Sequence, residues 1–208
     1  MKYMLDIGFN LLIYGAGSKR DITNLFVQDK LIKGANPRRV LMFNGYLSQV
    51  ECSMKGLLKE VRGYLLSEVY KQQMTAKDKK ERFSKTNNLH EQVAQIKSAF
   101  RHVSSNTQQN VLDNEFCEPE NEYDLTIVIH SMDIGVLKQD ESQDLLSELA
   151  AIPQISLIIT VDHIGITRLW NDSQLDRFNF YSVQMDTFQS FGSESHYQPD
   201  LFAAKNDN

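Results

Sequence analysis

Two cysteines, four prolines and no long apolar run among 208 residues remove several protein classes at once. Cys52 and Cys117 are too few and too far apart in sequence for a disulfide framework or a zinc site, so both are expected as free thiols in a reducing compartment. Proline is too scarce for a collagen-like or low-complexity chain. No apolar stretch approaches the roughly twenty residues of a spanning helix, and the N-terminus, with Asp6 and no small-residue cleavage motif, does not read as a signal peptide. No membrane partner is expected. Positive charge is lacking too: 22 Lys and Arg face 27 Asp and Glu, which excludes gripping nucleic acid by overall basicity and confines any DNA contact to a local patch or a shared surface.

What is present is an ordinary globular composition, with 41% hydrophobic and 24% charged residues, enough for one well-cored domain. Its most informative stretch begins at Phe9. An apolar run through Tyr14 empties into Gly15-Ala16-Gly17-Ser18-Lys19-Arg20-Asp21, where Ser18 and Asp21 are spaced as a capping box for a following helix. This is the outline of a phosphate-binding loop, which needs Gly-x-x-x-x-Gly-Lys-Ser/Thr so that backbone N–H groups wrap the phosphates, Lys reaches the terminal ones and a hydroxyl holds Mg²⁺. Here Lys19 follows Gly15 too closely, Ser18 stands where the second Gly belongs, and Arg20 occupies the hydroxyl position. Gly15, Gly17, Ser18 and Lys19 therefore read as a vestigial loop. Lys19→Ala is expected to leave the domain unchanged.

The rest of the chain alternates strands with helices. Ile22, Leu25, Phe26 and Ile32 predict a helix over about 19–33, stopped by Gly34 and Asn36-Pro37; Val40 to Phe43 reads as a buried strand ended by Asn44-Gly45. Met54, Leu57, Leu58, Val61 and Leu65 form the stripe of a helix packed on a sheet. Residues 71–88, centred on Lys77 to Arg82, read as a solvated polar insertion, with a nucleic-acid contact as the competing reading. Leu89, Val93, Ile96, Phe100 and Val103 resume helical spacing, and 104–122 reads as loop. Leu125 to Ile129 and Ile155 to Val161 are buried strands on either side of a short helix carrying Leu145, Leu146 and Leu149; Phe180 to Met185 supplies a fifth strand. The order predicts an α/β domain over residues 1–188 with a mostly parallel five-stranded sheet flanked by helices, followed by a linker or tail at 189–208.

Two further positions bear on chemistry. In a phosphate-loop ATPase a second strand ends in Asp-Glu, the Asp ordering the Mg²⁺ shell and the Glu activating water. Here His130 and Ser131 follow that strand, and the polar residue that a third strand supplies to sense the terminal phosphate falls to Asp162, whose charge repels phosphate. Joint loss at three places points to absent hydrolysis. His130, Asp133, Asp162 and His163 together suggest a competing reading as a metal or acid–base cluster, against which stands the absence of any tight ligand spacing. Trp170 reads as an amphipathic anchor over the sheet edge, or else as a partner hot spot.

Leu12 to Asp21, Asn44-Gly45-Tyr46, Ile129 to Asp133, and Val161-Asp162-His163 with Leu169-Trp170 resemble the AAA+-type domain of the origin recognition complex subunit 2 family. The resemblance spans about Phe9 to Phe188, departing at Leu47-Ser48-Gln49 and at 71–88. It implies an eroded AAA+/RecA-like fold with a degenerate nucleotide site, in a nuclear, non-catalytic subunit that takes no cofactor or metal. That subunit would sit beside subunit 3 of the complex, help line a channel around double-stranded DNA, and support loading of the replicative helicase by its loader. The family's winged-helix domain is not found here, so the chain is expected to be a piece of a longer protein. By the same resemblance Tyr46, Lys55 and Lys59 are the candidate DNA contacts. The alternative from another class is a divergent phosphate-loop NTPase using Lys19 with Asp133.

Overall fold

The computed structural model describes residues 1–34, 37–46, 53–69, 86–111, 124–162, 165, 168 and 170–192, with backbone alone at 68–69 and 102–111. Residues 47–49, 71–85, 112–122 and 193–208, with Cys52, Cys117, His163 and Leu169, lie outside the described residues, so the expectations placed on them are not addressed further.

The strands β1 (Asn10–Tyr14), β2 (Arg39–Asn44), β3 (Leu125–His130), β4 (Ile155–Val161) and β5 (Phe180–Gln184) form a sheet of order β2-β3-β4-β1-β5. All the pairings are parallel, with Leu11 opposite Ile158 on one side and Tyr181 on the other. Because side chains alternate along a strand, β1, β3 and β4 feed two cores. Leu12, Ile127, Ile129, Leu157 and Ile159 face a thick layer made by α3 (Met54–Tyr64), α4 (Leu89–Val111), α5 (Asp140–Ala150) and Phe178 of α6 (Asp172–Phe178). Leu11, Ile13, Val128 and Ile158 face a thinner layer: α1 (Lys2–Asp6), and α2 (Arg20–Phe26) with the π-helical turns Val27–Ile32 that continue it. Among the described residues no helix is long and apolar enough to cross a membrane.

Asn10, buried at the foot of β1, ties the layers together. Its Nδ2 donates to the carbonyls of Phe178 (2.6 Å) and Ala150 (3.4 Å), the last residues of α6 and α5, and its Oδ1 accepts the Leu157 N–H at 2.6 Å. One side chain thus satisfies two helix ends and a strand amide. Trp170 is the anchor of the α6–β5 corner: its Nε1–H donates to buried Gln143 at 2.6 Å, and its ring lies 5.5 Å from Phe178 and 5.3 Å from Phe180. At 6% exposure it offers nothing to a partner, so the hot-spot reading falls.

Three local expectations are corrected. The strand at Val40–Phe43 is not buried: β2 is a sheet edge with one neighbour, and Met42 is half exposed. The helix read as ending near Val103 continues to Val111. Its polar residues 104–111 carry helix propensities that neither favour nor stop a helix already nucleated upstream, so composition alone did not mark its end. Finally, α2 starts at Arg20 with Lys19 in the cap position and no side-chain cap, so Ser18 and Asp21 do not form a capping box. Ser18 stands one residue outside the helix, its backbone N–H and C=O held by the segment that follows β5.

Candidate phosphate-loop site

The order of the strands places a topological switch point between β1 and β4, because the chain leaves β1 for the far edge at β2 and comes back through β3 to β4. Open parallel sheets bind ligands outside the carboxyl ends of the strands at such a point. Gly15 to Lys19 and Asp162 flank it. The loop turns sharply on Gly15 (φ 141°) and Gly17 (φ 89°), conformations that only glycine adopts without strain.

Inside the turn the Lys19 ammonium is fully buried and has three protein acceptors: the Gly15 carbonyl at 2.8 Å, the Gly17 carbonyl at 2.7 Å and the Asp162 carboxylate at 2.6 Å. An ammonium has three protons, so its donor capacity is filled. Two loop amides are engaged as well. The Ala16 N–H donates to the Asp186 carboxylate at 2.8 Å and the Ser18 N–H to the Gln189 carbonyl at 3.0 Å. Gln189, the first residue of the expected tail, is exposed and meets the loop through its backbone carbonyl.

The residues after β3 join this arrangement. Ser131, at φ 51°, donates its N–H to the Thr160 hydroxyl oxygen at 2.9 Å and its own hydroxyl to Asp162 at 3.4 Å. Asp133 accepts the Asp162 N–H at 3.2 Å. His130 is engaged by α2 itself, its Nε2 meeting Asn24 at 3.0 Å. Burial first, then the nearby Arg20 guanidinium, lowers the His130 pKa to about 4, against a smaller upward pull from Asp21, so the ring is neutral at physiological pH.

The structure therefore brings together Lys19, Ser131, Asp133 and Asp162, and pairs His130 with Asn24. Of the cluster proposed from His130, Asp133, Asp162 and His163, the three described members do not form a group of metal-ligand atoms; among the described residues the one such group, with ligand atoms within 4.8 Å of one another, is His90, Asp144 and Glu148, on α4 and α5. The Arg177 guanidinium already sits 2.7 Å from Asp144. Asn24, Thr160, Asp186 and Gln189 escaped the sequence reading because each reaches the site by tertiary contact, without a motif. Of the DNA candidates, Tyr46 is half-buried in the turn after β2, its N–H donating to Asn44 Oδ1 at 3.1 Å, while Lys55 and Lys59 are exposed on α3, whose opposite face buries Met54, Leu57, Leu58 and Val61.

A parallel sheet with β1 beside β4, a glycine turn at the carboxyl end of β1 and a helix starting from that turn define a RecA-like domain of the phosphate-loop class. Residues 1–185 match the family model described as the origin recognition complex subunit 2 RecA-like domain. The chain belongs to that family. It is 25% identical over 202 residues to mouse origin recognition complex subunit 2, covering 96% of this chain and 29% of the mouse protein. Against the Drosophila subunit it is 27% identical over 198 residues, covering 95% and 26% respectively. The chain thus spans between a quarter and a third of these relatives. A chain in the structure of Drosophila ORC bound to AT-rich DNA and Cdc6 superposes with a TM-score of 0.69 at 27% identity, covering 95% of this chain and 55% of that one.

Two expected outcomes follow from the pairing. Lys19→Ala, read from sequence as neutral, strips two carbonyls of their donor and Asp162 of its counter-charge; urea unfolding should register a loss of about 2–4 kcal/mol. For His130 the unfolded chain takes up a proton near pH 6.5 while the folded chain resists until about 4, so the unfolded state binds more protons within that window. Stability should therefore fall on acidification from pH 6.5 to 4, by up to about 1.4 kcal/mol per pH unit from this group. In His130→Gln unfolding curves that slope should shrink.

Proposed function

We propose that this domain serves as a non-catalytic subunit of an origin recognition complex, helping to bind origin DNA and to support helicase loading at the initiation of replication in the nucleus. The observation that carries the non-catalytic reading is the saturated ammonium of Lys19: a phosphate would have to displace Asp162 and two carbonyls to reach it. Asp162 adds a fixed negative charge at the place where a nucleotide's terminal phosphates would lie, which opposes their binding. The competing reading, an NTPase using Lys19 with Asp133, has no support from the geometry, since one carboxylate oxygen of Asp133 accepts the Asp162 amide and Lys19 has no proton left to donate.

Membership of the subunit 2 family supports a place among the other subunits of the complex, with subunit 3 as the proposed neighbour. The Drosophila assembly that holds a similar chain is bound to AT-rich DNA and Cdc6, which supports DNA and a Cdc6-like protein as partners of the assembled complex. We assign the DNA contact to Tyr46, Lys55 and Lys59. Lysines on phosphates give affinity without sequence information, and an aromatic ring can wedge against a groove. With so few cations on a chain of net charge −5, the isolated domain should bind duplex weakly, with a slope of only about one to three in log affinity against log salt. Within the complex, linkage to other DNA-binding subunits raises the effective affinity.

The test compares the isolated chain with the assembled complex, each carrying Tyr46→Ala or Lys55→Ala/Lys59→Ala, by fluorescence anisotropy on duplex DNA across a salt series. Weakened binding in the complex, with little to lose in the isolated chain, is expected. Binding by the complex that is indifferent to all three substitutions would remove these residues from the DNA interface.

A further inference from the structure

The segment leaving β5 makes the last rung of the β1–β5 ladder at Met185 and is then bonded to the glycine loop. Met185 N–H donates to Tyr14 O at 2.7 Å, Thr187 N–H and Phe188 N–H both reach Ala16 O (2.9 and 3.1 Å), and the Thr187 hydroxyl donates to Ser18 O at 2.7 Å. In the other direction Ala16 and Ser18 donate their amides to Asp186 and Gln189. Backbone bonds run both ways, from Thr187 and Phe188 to Ala16 and from Ser18 to Gln189, and the Asp186 and Thr187 side chains supplement them, so main-chain pairing of the kind that holds an extended peptide is only part of the contact.

Two features show that the fit is specific. A Cβ on Gly17 would stand 2.7 Å from the amide nitrogens of Phe188 and Gln189 and from the Thr187 hydroxyl, so the loop is glycine where the segment presses on it. Phe188 holds φ at 53° although it has a side chain, and that side chain is 83% exposed. Such a conformation costs energy that burial of the ring does not offset, which leaves the backbone bonds to Ala16 to hold it.

We infer that the glycine loop is a peptide-binding site whose ligand is the chain's own Met185–Gln189, with the Asp186 carboxylate on the Ala16 amide as its anionic group. Turns that present successive N–H groups bind anions, and here a carboxylate of the same chain supplies one. The Ala16 amide first, then the Gln184 side-chain amide on the other carboxylate oxygen, with a smaller pull from the Lys19 charge, hold the Asp186 carboxyl below its ordinary pKa, in keeping with an anion seated on donors. The site fixes the direction in which the chain leaves the sheet, and releasing the segment would free that direction. This inference stands apart from the role in DNA binding and survives its failure.

Amide hydrogen exchange on the 208-residue chain tests it. Asp186 is exposed, so its replacement leaves the core intact. Asp186→Ala should speed exchange at Ala16 about tenfold, the factor for one lost charge-assisted hydrogen bond, with smaller increases at Ser18, Thr187 and Phe188 and none in β1. Asp186→Asn, which keeps an acceptor oxygen, should retain part of the protection. Gly8 provides a control for backbone strain: its φ is 90° against 89° in Gly17, but a Cβ there meets nothing within 4 Å. Gly17→Ala should therefore unprotect Thr187 and Phe188, and Gly8→Ala should not. Unchanged exchange at Ala16 in Asp186→Ala, or equal loss of loop protection in the two glycine variants, would overturn the inference.

Discussion

A buried ammonium must donate every proton it carries or pay the full desolvation of the ones left over, and the carboxyl end of this sheet is arranged around that demand. Lys19 sends one proton to Asp162 and two to carbonyls of its own turn. The carbonyls point inward because Gly15 and Gly17 adopt backbone angles closed to other residues, which turns the intervening amides outward. Those amides then need acceptors, and Asp186 and Gln189 provide them. Meanwhile Asp162 is positioned through Asp133 and Ser131, so the exits of β1, β3, β4 and β5 are held by one continuous polar network. In a low-dielectric setting such a network is stable only when its members are all paired, which makes each of its residues sensitive to substitution.

Much of this fold was legible in the sequence because buried parallel strands read as continuous apolar runs. The runs at Leu125 and Ile155 appear as the buried β3 and β4 within a residue of their expected limits, and the stretch from Phe180 appears as β5, a second sheet edge. The stripe from Met54 to Leu65 is likewise buried as its spacing requires. Edge position is different, since Val40 to Phe43 has the composition of a buried strand and only the strand order reveals it as an edge. The loop was found from its glycines, but its wiring was not. Asp162 was read as a residue that repels phosphate, which is one half of its character; that its charge is spent on Lys19 depends on β4 lying beside β1, a tertiary fact. Asn10 is the same kind of case: an asparagine in an apolar run says nothing of the two helix ends it caps.

A fold can outlast the chemistry it once served, because sheet order, core packing and the glycine turn are stabilised independently of any bound phosphate. In this member of the subunit 2 family Lys19 of the glycine turn, Asp162 and Ser131 bond to one another. Exposed Lys55 and Lys59 on α3 lie outside the network, so surface contacts can change without disturbing the loop.

The account rests most directly on Lys19 being unavailable to phosphate. Isothermal titration of the 208-residue chain with ATP and Mg²⁺ measures that availability. The account predicts no saturable heat at micromolar nucleotide. Micromolar, Mg²⁺-dependent binding that Lys19→Met abolishes in a folded variant would contradict it.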